Sequence, residues 1–314
     1  DGAFFVDETH PYTGDLDVFG HSSIYSHMNR TGTMTGASVL AQFLKMPWLG
    51  VERTRERQEA VKELVPKLQF RQLLSAQAGL AGEKADDQKE LRLWLDMPVK
   101  FINNRFIQIV RWVSPALSVV AVGYLIATYS VYPLLGMLLI NSVILRQYVA
   151  EISRQHVLIS SKERVFAKFS LLVQMINGEQ FGQAALLNRD QEKTQEAGAA
   201  LKRLARIVNI WDQRLNMAIG MVLNGLGLYD LHCAVILEKW KLKYKDRVDG
   251  WMDVIYGFEV YNSMATFAYN HPEFIYPVID GQQSQLTGKG IGHPLIPAAE
   301  SVKNSIAIGT PQQF

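Results

Sequence analysis

The sequence predicts a mainly helical protein that ends in a short β-containing segment. Three observations favour this fold class. Apolar residues recur at steps of three and four over most of the chain, about 34 consecutive residues carry no charge, and only the last part combines turn residues with short β-branched pieces. With 314 residues, of which 48% are hydrophobic, the chain is long enough to bury a sizeable core.

Composition limits the classes of function. The chain has 32 Lys and Arg against 30 Asp and Glu, which excludes the strongly basic profile of a dedicated nucleic-acid binder but allows local basic clusters. The single cysteine, Cys233, cannot form an internal disulfide, which fits a reducing compartment such as the cytoplasm. The first residues show no signal peptide, and both termini are expected to lie inside a longer protein.

Residues 1–110 are predicted to form the first half of a helical core. Asn29 or Thr31 is expected to cap a helix whose apolar face comprises Val39, Leu40, Phe43 and Leu44, and Pro47 is expected to end it. The next helix begins near Val51 and directs three apolar side chains inward, Val61, Leu64 and Val65.

Residues 111–146 are predicted to form an apolar helical hairpin. The uncharged stretch Trp112–Leu145 exceeds the roughly 20 residues of one membrane span, and as a single helix it would extend about 50 Å, beyond the roughly 30 Å hydrocarbon core. A hairpin that turns at Tyr129–Pro133 fits better. The flanking Arg105, Arg111 and Arg146 agree with cytoplasmic ends. The alternative is a hairpin buried inside a soluble protein.

Residues 147–278 are predicted to contain long helices with two heptad seams, followed at 279–314 by strands and turns. The first seam is expected on one long helix and comprises Leu201, Leu204, Val208, Trp211, Leu215, Ala218 and Val222. The second comprises Trp251, Val254, Phe258, Tyr261, Ala265 and Ala268. Such helices can act as stiff levers, and an ordinary helical bundle is the alternative.

The sequence predicts no catalytic or metal site in this chain. Thr287–Gly290 partly matches a phosphate-binding loop, but the motif requires a glycine at Gln283 and a hydroxyl residue at Gly290. The other candidates are wrongly spaced or lack a second cluster, and they are interpreted as structural: His21, His27, Asp230, His232 and Cys233.

A run of alternating lysines is the weak candidate for phosphate contact. Lys239, Lys241, Lys243 and Lys245 are interleaved with Trp240 and Tyr244. Such a mixture of cations and aromatic rings can bind DNA or lie at an anionic membrane surface. A solvated helix face is the simpler interpretation.

Two separate blocks resemble the core of MutS-family DNA mismatch repair ATPases. The first lies within about the first 75 residues and contains Asp15–Gly20, Asn29-Arg30-Thr31, Gly36 and Arg57-Gln58. The second lies within about the last 70 and contains Gly257–Glu259, Ala265–Ala268, Gly292–Pro294 and Val302–Asn304. The middle of the chain resembles the family poorly.

The resemblance implies a long-helix core and lever bundle of MutS type, with 147–278 supplying the levers and the second half of the core. Residues 279–314 would begin an ATPase domain that is cut off before its phosphate-binding loop. Val302 and Asn304 would then lie beside a nucleotide base. ATP and Mg²⁺ would be bound by the full-length protein and not by this chain, with DNA as the partner and a homodimer as the assembly.

Two departures from the family qualify this expectation. No mismatch-reading domain precedes Asp15, and an apolar segment stands where the family inserts a DNA-clamping domain, so mismatch specificity does not carry over. The resemblance is to a divergent branch that is cytoplasmic or anchored to the cytoplasmic face of the inner membrane. The alternative function is a membrane-anchored helical scaffold or interaction protein without a DNA role.

Overall fold

The computed structural model describes residues 1–46, 50–84, 86–280, 285–297 and 299–309. The chain is 68% helix and 4% strand, which confirms the mainly helical prediction. Within the described residues, the helices are α1 (Ile24–Met28), α2 (Met34–Lys45), α3 (Val51–Leu64), α4 (Leu68–Gly79), α5 (Asp87–Asp96), α6 (Arg105–Thr128), α7 (Tyr132–Ile159), α8 (Glu163–Gly178), α9 (Ala185–Lys193), α10 (Ala197–Asp212), α11 (Met217–Gly227) and α12 (Tyr229–Asn270).

The chain folds into two compact units, and each is built from separate pieces of sequence. The first unit comprises Asp1–Leu80, Met175–Lys193 and Val254–Phe314, and the second comprises Ala81–Gln174 and Thr194–Asp253. Each unit therefore combines residues that precede the apolar stretch with residues that follow it.

In the first unit, α2 is capped by Thr33, so the predicted caps Asn29 and Thr31 were wrong. The Thr33 hydroxyl accepts a hydrogen bond from the Gly36 backbone N–H at 2.9 Å. Asn29 instead accepts from the Thr31 N–H at 3.0 Å and forms a turn before the helix. The predicted apolar face of α2 is confirmed, since Leu40 is buried and the other three pack against its cluster, namely Val39, Phe43 and Leu44.

The predicted start of α3 at Val51 is also confirmed. Val61 and Leu64 are buried on its inner face, and Val65 follows the last helical residue. Pro47, the expected end of α2, lies outside the described residues. An aromatic group of Phe70, Phe181 and Phe258 closes this part of the core, with ring centroids 5.4–6.5 Å apart.

In the second unit, the first heptad seam is interrupted, so the prediction of one long helix was wrong. Helix α10 buries Leu201, Leu204, Val208 and Trp211 but ends at Asp212. A 3-10 turn, Gln213–Leu215, follows, and the Asn216 side chain then accepts from the Ile219 N–H at 3.3 Å. Asn216 is therefore the cap of a new helix, α11. Leu215 and Val222 are exposed rather than buried along the seam.

The second heptad seam is confirmed on α12, which has 42 residues. Its first part belongs to the second unit and its remainder, from Val254, belongs to the first unit. Five members of the seam are buried and Ala268 is half-buried; the buried ones are Trp251, Val254, Phe258, Tyr261 and Ala265. A helix of this length extends about 63 Å.

After α12 the chain forms the predicted strands. Strands β1 (Leu286–Ile291) and β2 (Asn304–Ile308) pair in an antiparallel sheet, with Leu286 opposite Ile308 and Ile291 opposite Asn304. The register shifts between Gly288 and Ile291, where Gly290 has a positive φ of 63°. Thr287–Gly290 therefore lies within a strand and not in a loop that opens a helix. Gln283, the other position of the tested motif, lies outside the described residues.

Candidate functional site

The apolar hairpin is the most prominent feature of the second unit. Helices α6 and α7 are both long and apolar enough to cross a membrane. The whole helices extend about 36 Å and 42 Å, whereas their uncharged parts, 112–128 and 132–145, extend about 26 Å and 21 Å, a little less than a hydrocarbon core of about 30 Å. The turn lies between Thr128 and Tyr132, as predicted, and Pro133 lies in the first turn of α7, where its missing N–H leaves no helical hydrogen bond unmade.

Most of the hairpin surface is left exposed by the residues that the structure describes. Only 22% of the most apolar stretch of α6 and 11% of that of α7 is buried. Soluble monomers rarely expose apolar patches larger than a few hundred Å². We call the following exposed side chains the apolar surface: Phe106, Ile109, Trp112, Val113, Leu117, Val119, Val120, Tyr124, Ile126, Tyr129, Tyr132, Leu135, Leu139, Ile140 and Val143.

Aromatic residues lie towards both ends of the apolar surface. Trp112 is the first residue of the uncharged stretch of α6, directly after Arg111, whereas Tyr124, Tyr129 and Tyr132 lie around the turn. Tyrosine and tryptophan are enriched where membrane proteins meet the headgroup layers, because their rings are apolar and their edges are polar. This arrangement suits a segment whose two ends contact headgroups.

A buried polar seam joins the hairpin to α11. The Ser114 hydroxyl donates to the Asn141 side-chain oxygen, and the Asn141 amide donates to the Gly225 carbonyl at 2.6 Å. Gly225 permits this approach, since a Cβ there would lie 2.8 Å from Leu138 Cδ2. In an apolar environment no hydrophobic force drives helices together. Hydrogen bonds between polar side chains of neighbouring helices then help to hold them in contact.

The lysine run is divided between buried and exposed positions. Lys241 is buried, and its ammonium donates to the carbonyls of Met97 at 2.8 Å and Trp94 at 3.3 Å. Burial lowers the pKa of Lys241. Lys241 therefore holds the end of α5 and does not reach the surface, so its predicted contact with DNA was wrong.

The other three lysines are exposed, and their contact with DNA stays a prediction. Lys245 pairs with Asp96 at 2.9 Å, while Lys243 lies over the ring of Tyr244 at 4.8 Å. The aromatic residues between them, Trp240 and Tyr244, are buried and do not offer free faces for stacking on bases. Lys239, Lys243 and Lys245 can thus contribute charge to a phosphate-binding face but not a stacking platform.

The predicted nucleotide-binding residues lie at the start of the second strand of the small sheet. Val302 is 79% exposed and lies two residues before β2, and Asn304 is exposed at the first position of that strand. The described part of the sheet leaves both side chains open to solvent. A base bound beside them would therefore need a second wall from outside the described residues. Their role stays a prediction.

In the first unit, the buried carboxylate of Glu259 joins the two blocks that carry the family resemblance. Its Oε1 accepts from the backbone N–H of Gly32 at 2.6 Å and of Thr33 at 3.1 Å, and its Oε2 accepts from the Thr33 hydroxyl. A Cβ at Gly36 would lie 2.4 Å from Oε2, so a larger residue there would displace the carboxylate. We name Glu259, Gly32, Thr33 and Gly36 the carboxylate junction.

The sequence pointed to both blocks but not to their contact. Glu259 lies within an apolar stretch of α12, and a glutamate at 2% exposure needs several donors to offset its desolvation. A lone acid on the inner face of a helix is the signal that could have found the junction. No such rule identifies the donors, which lie 226 and 227 residues away.

Titratable side chains in the second unit serve structural contacts. Asp230 pairs with Arg214 at 3.2 Å, and the ring of His232 contacts the Arg111 carbonyl, while Cys233 is buried. Among the residues the structure describes, no group of three or more His, Cys, Asp or Glu side chains could hold a metal ion.

Comparison with protein-family models, with curated proteins and with solved structures finds no match to this chain.

Proposed function

We propose that this chain is the helical core and lever of a MutS-like ATPase, in a branch anchored to a membrane. The carboxylate junction is the observation that carries the proposal. The two blocks that resemble the family are far apart in sequence, yet they share one buried set of hydrogen bonds. This contact supports a single core to which both blocks contribute.

The order of elements supports a lever role. Helix α12 carries Glu259 of the junction and is followed by the two-stranded sheet, which suits the beginning of an ATPase domain. In the full-length protein, ATP and Mg²⁺ would bind beyond this sheet, with Val302 and Asn304 beside the base. A long, continuous helix would transmit displacements from that site to the grip on DNA, in a homodimer.

Salt-dependent DNA binding by the full-length protein tests the DNA role. Each phosphate contact adds about 0.9 to the slope of log affinity against log salt. The triple variant Lys239→Gln, Lys243→Gln, Lys245→Gln should lower the slope by up to about 2.7, measured by fluorescence anisotropy between about 50 and 200 mM salt. Lys202→Gln, an exposed lysine on α10, is the matched control.

If the full-length protein does not bind DNA at low salt, the DNA role is contradicted. The second candidate, a membrane-anchored helical scaffold without a DNA role, is then favoured. That candidate is favoured by the apolar surface alone, which needs no nucleic acid. Binding that persists with an unchanged slope in the triple variant would keep DNA as the partner but remove these lysines from its contact face.

ATP hydrolysis tests the placement of the motor. The chain of 314 residues should hydrolyse no ATP, whereas the full-length protein should do so and be stimulated by DNA. The contrary result is hydrolysis of ATP by residues 1–314 alone, with activity that a substitution within them abolishes. That result would contradict the proposal that catalysis belongs to an ATPase domain outside these residues.

The apolar surface supports membrane attachment through α6 and α7. Both ends of the hairpin would lie on the cytoplasmic side, because Arg105, Arg111 and Arg146 flank its uncharged stretch and positive residues favour that side. Two spans return the chain to the side from which it started. Both units, each built from residues before and after the hairpin, can then fold in the cytoplasm.

A further inference from the structure

Residues 215–229 form a second uncharged segment beside the hairpin. They contain no Asp, Glu, Lys or Arg, and Arg214 and Asp230 stand directly at the two ends. Helix α11 accounts for 11 of these residues and extends about 16 Å, roughly half of a 30 Å hydrocarbon core. The segment is too short to cross a membrane by itself.

The two ends of this segment meet. Arg214 pairs with Asp230 at 3.2 Å, and the other carboxylate oxygen of Asp230 accepts from the Trp211 indole N–H at 3.2 Å. The Tyr229 hydroxyl donates to the Ile210 carbonyl. The chain therefore leaves and returns at one place, and both charged end residues are paired there.

A sharp turn makes the return possible. Leu228 adopts a left-handed conformation with φ 49°, and the axes of α11 and α12 differ by 84°. The Asn224 side chain accepts from the Asp230 N–H at 2.9 Å, which satisfies a donor that the broken helix would leave free. The turn is thus a stable feature and not a frayed helix end.

One side of α11 packs on the hairpin and the other is exposed. Gly225 contacts α7 through Asn141, as part of the polar seam. Away from that contact, Met217 is 78% exposed and Met221 is 69% exposed, and Leu215 and Val222 are also exposed. Because α6, α7 and α11 pack against one another, these side chains add to the apolar surface.

We infer that residues 215–229 are a re-entrant element that enters one leaflet of the membrane from the side on which the hairpin begins and ends. The occupant of the exposed face is the acyl-chain layer of the lipid. This inference rests on the proposed membrane attachment of α6 and α7. Acyl chains fit better than a protein partner because the face is aliphatic and continuous with two helices of membrane-spanning length, with the charged groups confined to its paired ends.

Fluorescence quenching by spin-labelled lipid tests the inference in the full-length protein. In a background from which every native cysteine has been removed, Cys233 of this chain by Cys233→Ala, single cysteines replace Met221 or Met217 on α11, Val120 on α6, and Lys202 on α10. Each carries an environment-sensitive fluorophore, and the protein is placed in phosphatidylcholine and phosphatidylglycerol vesicles with nitroxides on the acyl chains. Circular dichroism establishes that each variant is folded.

The expected result is loss of fluorescence at Met221→Cys, Met217→Cys and Val120→Cys, with no change at Lys202→Cys. Quenching at Val120→Cys alone would overturn the re-entrant element and keep the hairpin anchor. No quenching at any position would overturn the anchor as well. Iodide, a quencher dissolved in the water, gives a further comparison. If the fluorophore at Met221→Cys is quenched neither by iodide nor by nitroxide lipid, then protein covers α11, and the inference is overturned.

Discussion

At the scale of single residues, Glu259 has the most consequential contacts in the first unit. It is almost fully buried, and it accepts hydrogen bonds from two backbone N–H groups and one hydroxyl. The donors belong to the turn that precedes α2, and Thr33 also caps that helix. One carboxylate therefore fixes both the start of α2 and its position against α12.

Replacing Glu259 by Ala should destabilise the first unit strongly. The substitution leaves buried donors without an acceptor, and hydrogen bonds to charged groups contribute about 1.5–3 kcal/mol each before relaxation. We expect the free energy of unfolding to fall by about 3 kcal/mol or more, measured by urea denaturation in detergent. Glu8→Ala, at an exposed glutamate, is the control and should change it by less than about 0.5 kcal/mol. Equal effects of both substitutions would contradict the role of the junction.

A second residue pair gives the first unit a dependence on acid pH. Both nitrogens at the end of the Arg189 side chain donate to the Glu56 carboxylate, at 2.8 and 3.2 Å. The hydrogen bond from Arg189 lowers the pKa of Glu56 below its ordinary value of 4.5. The pair joins α9 to α3.

The contribution of Glu56 to stability should be complete above pH 4.5 and should be lost as the pH falls through the lower pKa of the folded state. Because the pair is partly exposed, the contribution should not exceed about 1 kcal/mol. Thermal unfolding of Glu56→Gln and the parent protein between about pH 3 and 6 measures it, and the two curves should converge at the acid end. Curves that remain parallel throughout would exclude this pair as a source of pH dependence.

At the scale of elements, the polar seam decides where α11 lies. Asn141 contacts α6 through Ser114 and contacts α11 through the Gly225 carbonyl. Apolar contacts alone would let helices slide past each other, because one aliphatic face resembles another. A buried amide with two defined partners specifies a single position.

Asn141→Ala should loosen α11 from the hairpin without unfolding the second unit. Hydrogen bonds between apolar helices contribute on average about 0.6 kcal/mol and at most about 1.7 kcal/mol. Hydrogen exchange in residues 217–227 should therefore accelerate, as measured by mass spectrometry. Ser142→Ala is the matched control, since the Ser142 hydroxyl donates only within its own helix, to Leu138 O. Equal exchange in both variants would show that packing alone positions α11.

At the scale of the whole molecule, the proposed membrane attachment depends on the apolar surface. Each unit has its own buried core, whereas α6, α7 and α11 direct apolar side chains outward. Contact with lipid removes that surface from water without a protein partner.

Charges placed in the apolar surface should prevent membrane insertion. Val120→Asp together with Leu139→Asp adds about 2.5–3.5 kcal/mol per residue to the free energy of insertion at the centre of a helix. The double variant should move from the carbonate-resistant membrane fraction to the soluble or aggregated fraction. Lys202→Asp, a charge change on α10, should leave the distribution unchanged. Retention of the double variant in the membrane fraction would contradict insertion through α6 and α7.

Several features followed directly from local sequence. Apolar periodicity identified α2, α3 and the seam of α12, since a helix repeats every 3.6 residues whatever it packs against. The uncharged stretch and its turn at Tyr129–Pro133 identified the hairpin. Alternation of the lysines with Trp240 and Tyr244 suggested a cationic face, but the inward turn of Lys241 depends on carbonyls of α5. Contacts of that kind have no local signature.

The helical class, the apolar hairpin and the two strands could all be predicted from local sequence, because propensity, periodicity and charge act over a few neighbouring residues. Three other features became visible only in the folded chain: Glu259 contacts Gly32 and Thr33, α10 ends at Asp212, and Arg214 pairs with Asp230 across the segment that contains α11. Each of these depends on groups brought together from distant parts of the chain. Their energies come from burial and hydrogen-bond geometry, which spacing along the sequence does not specify.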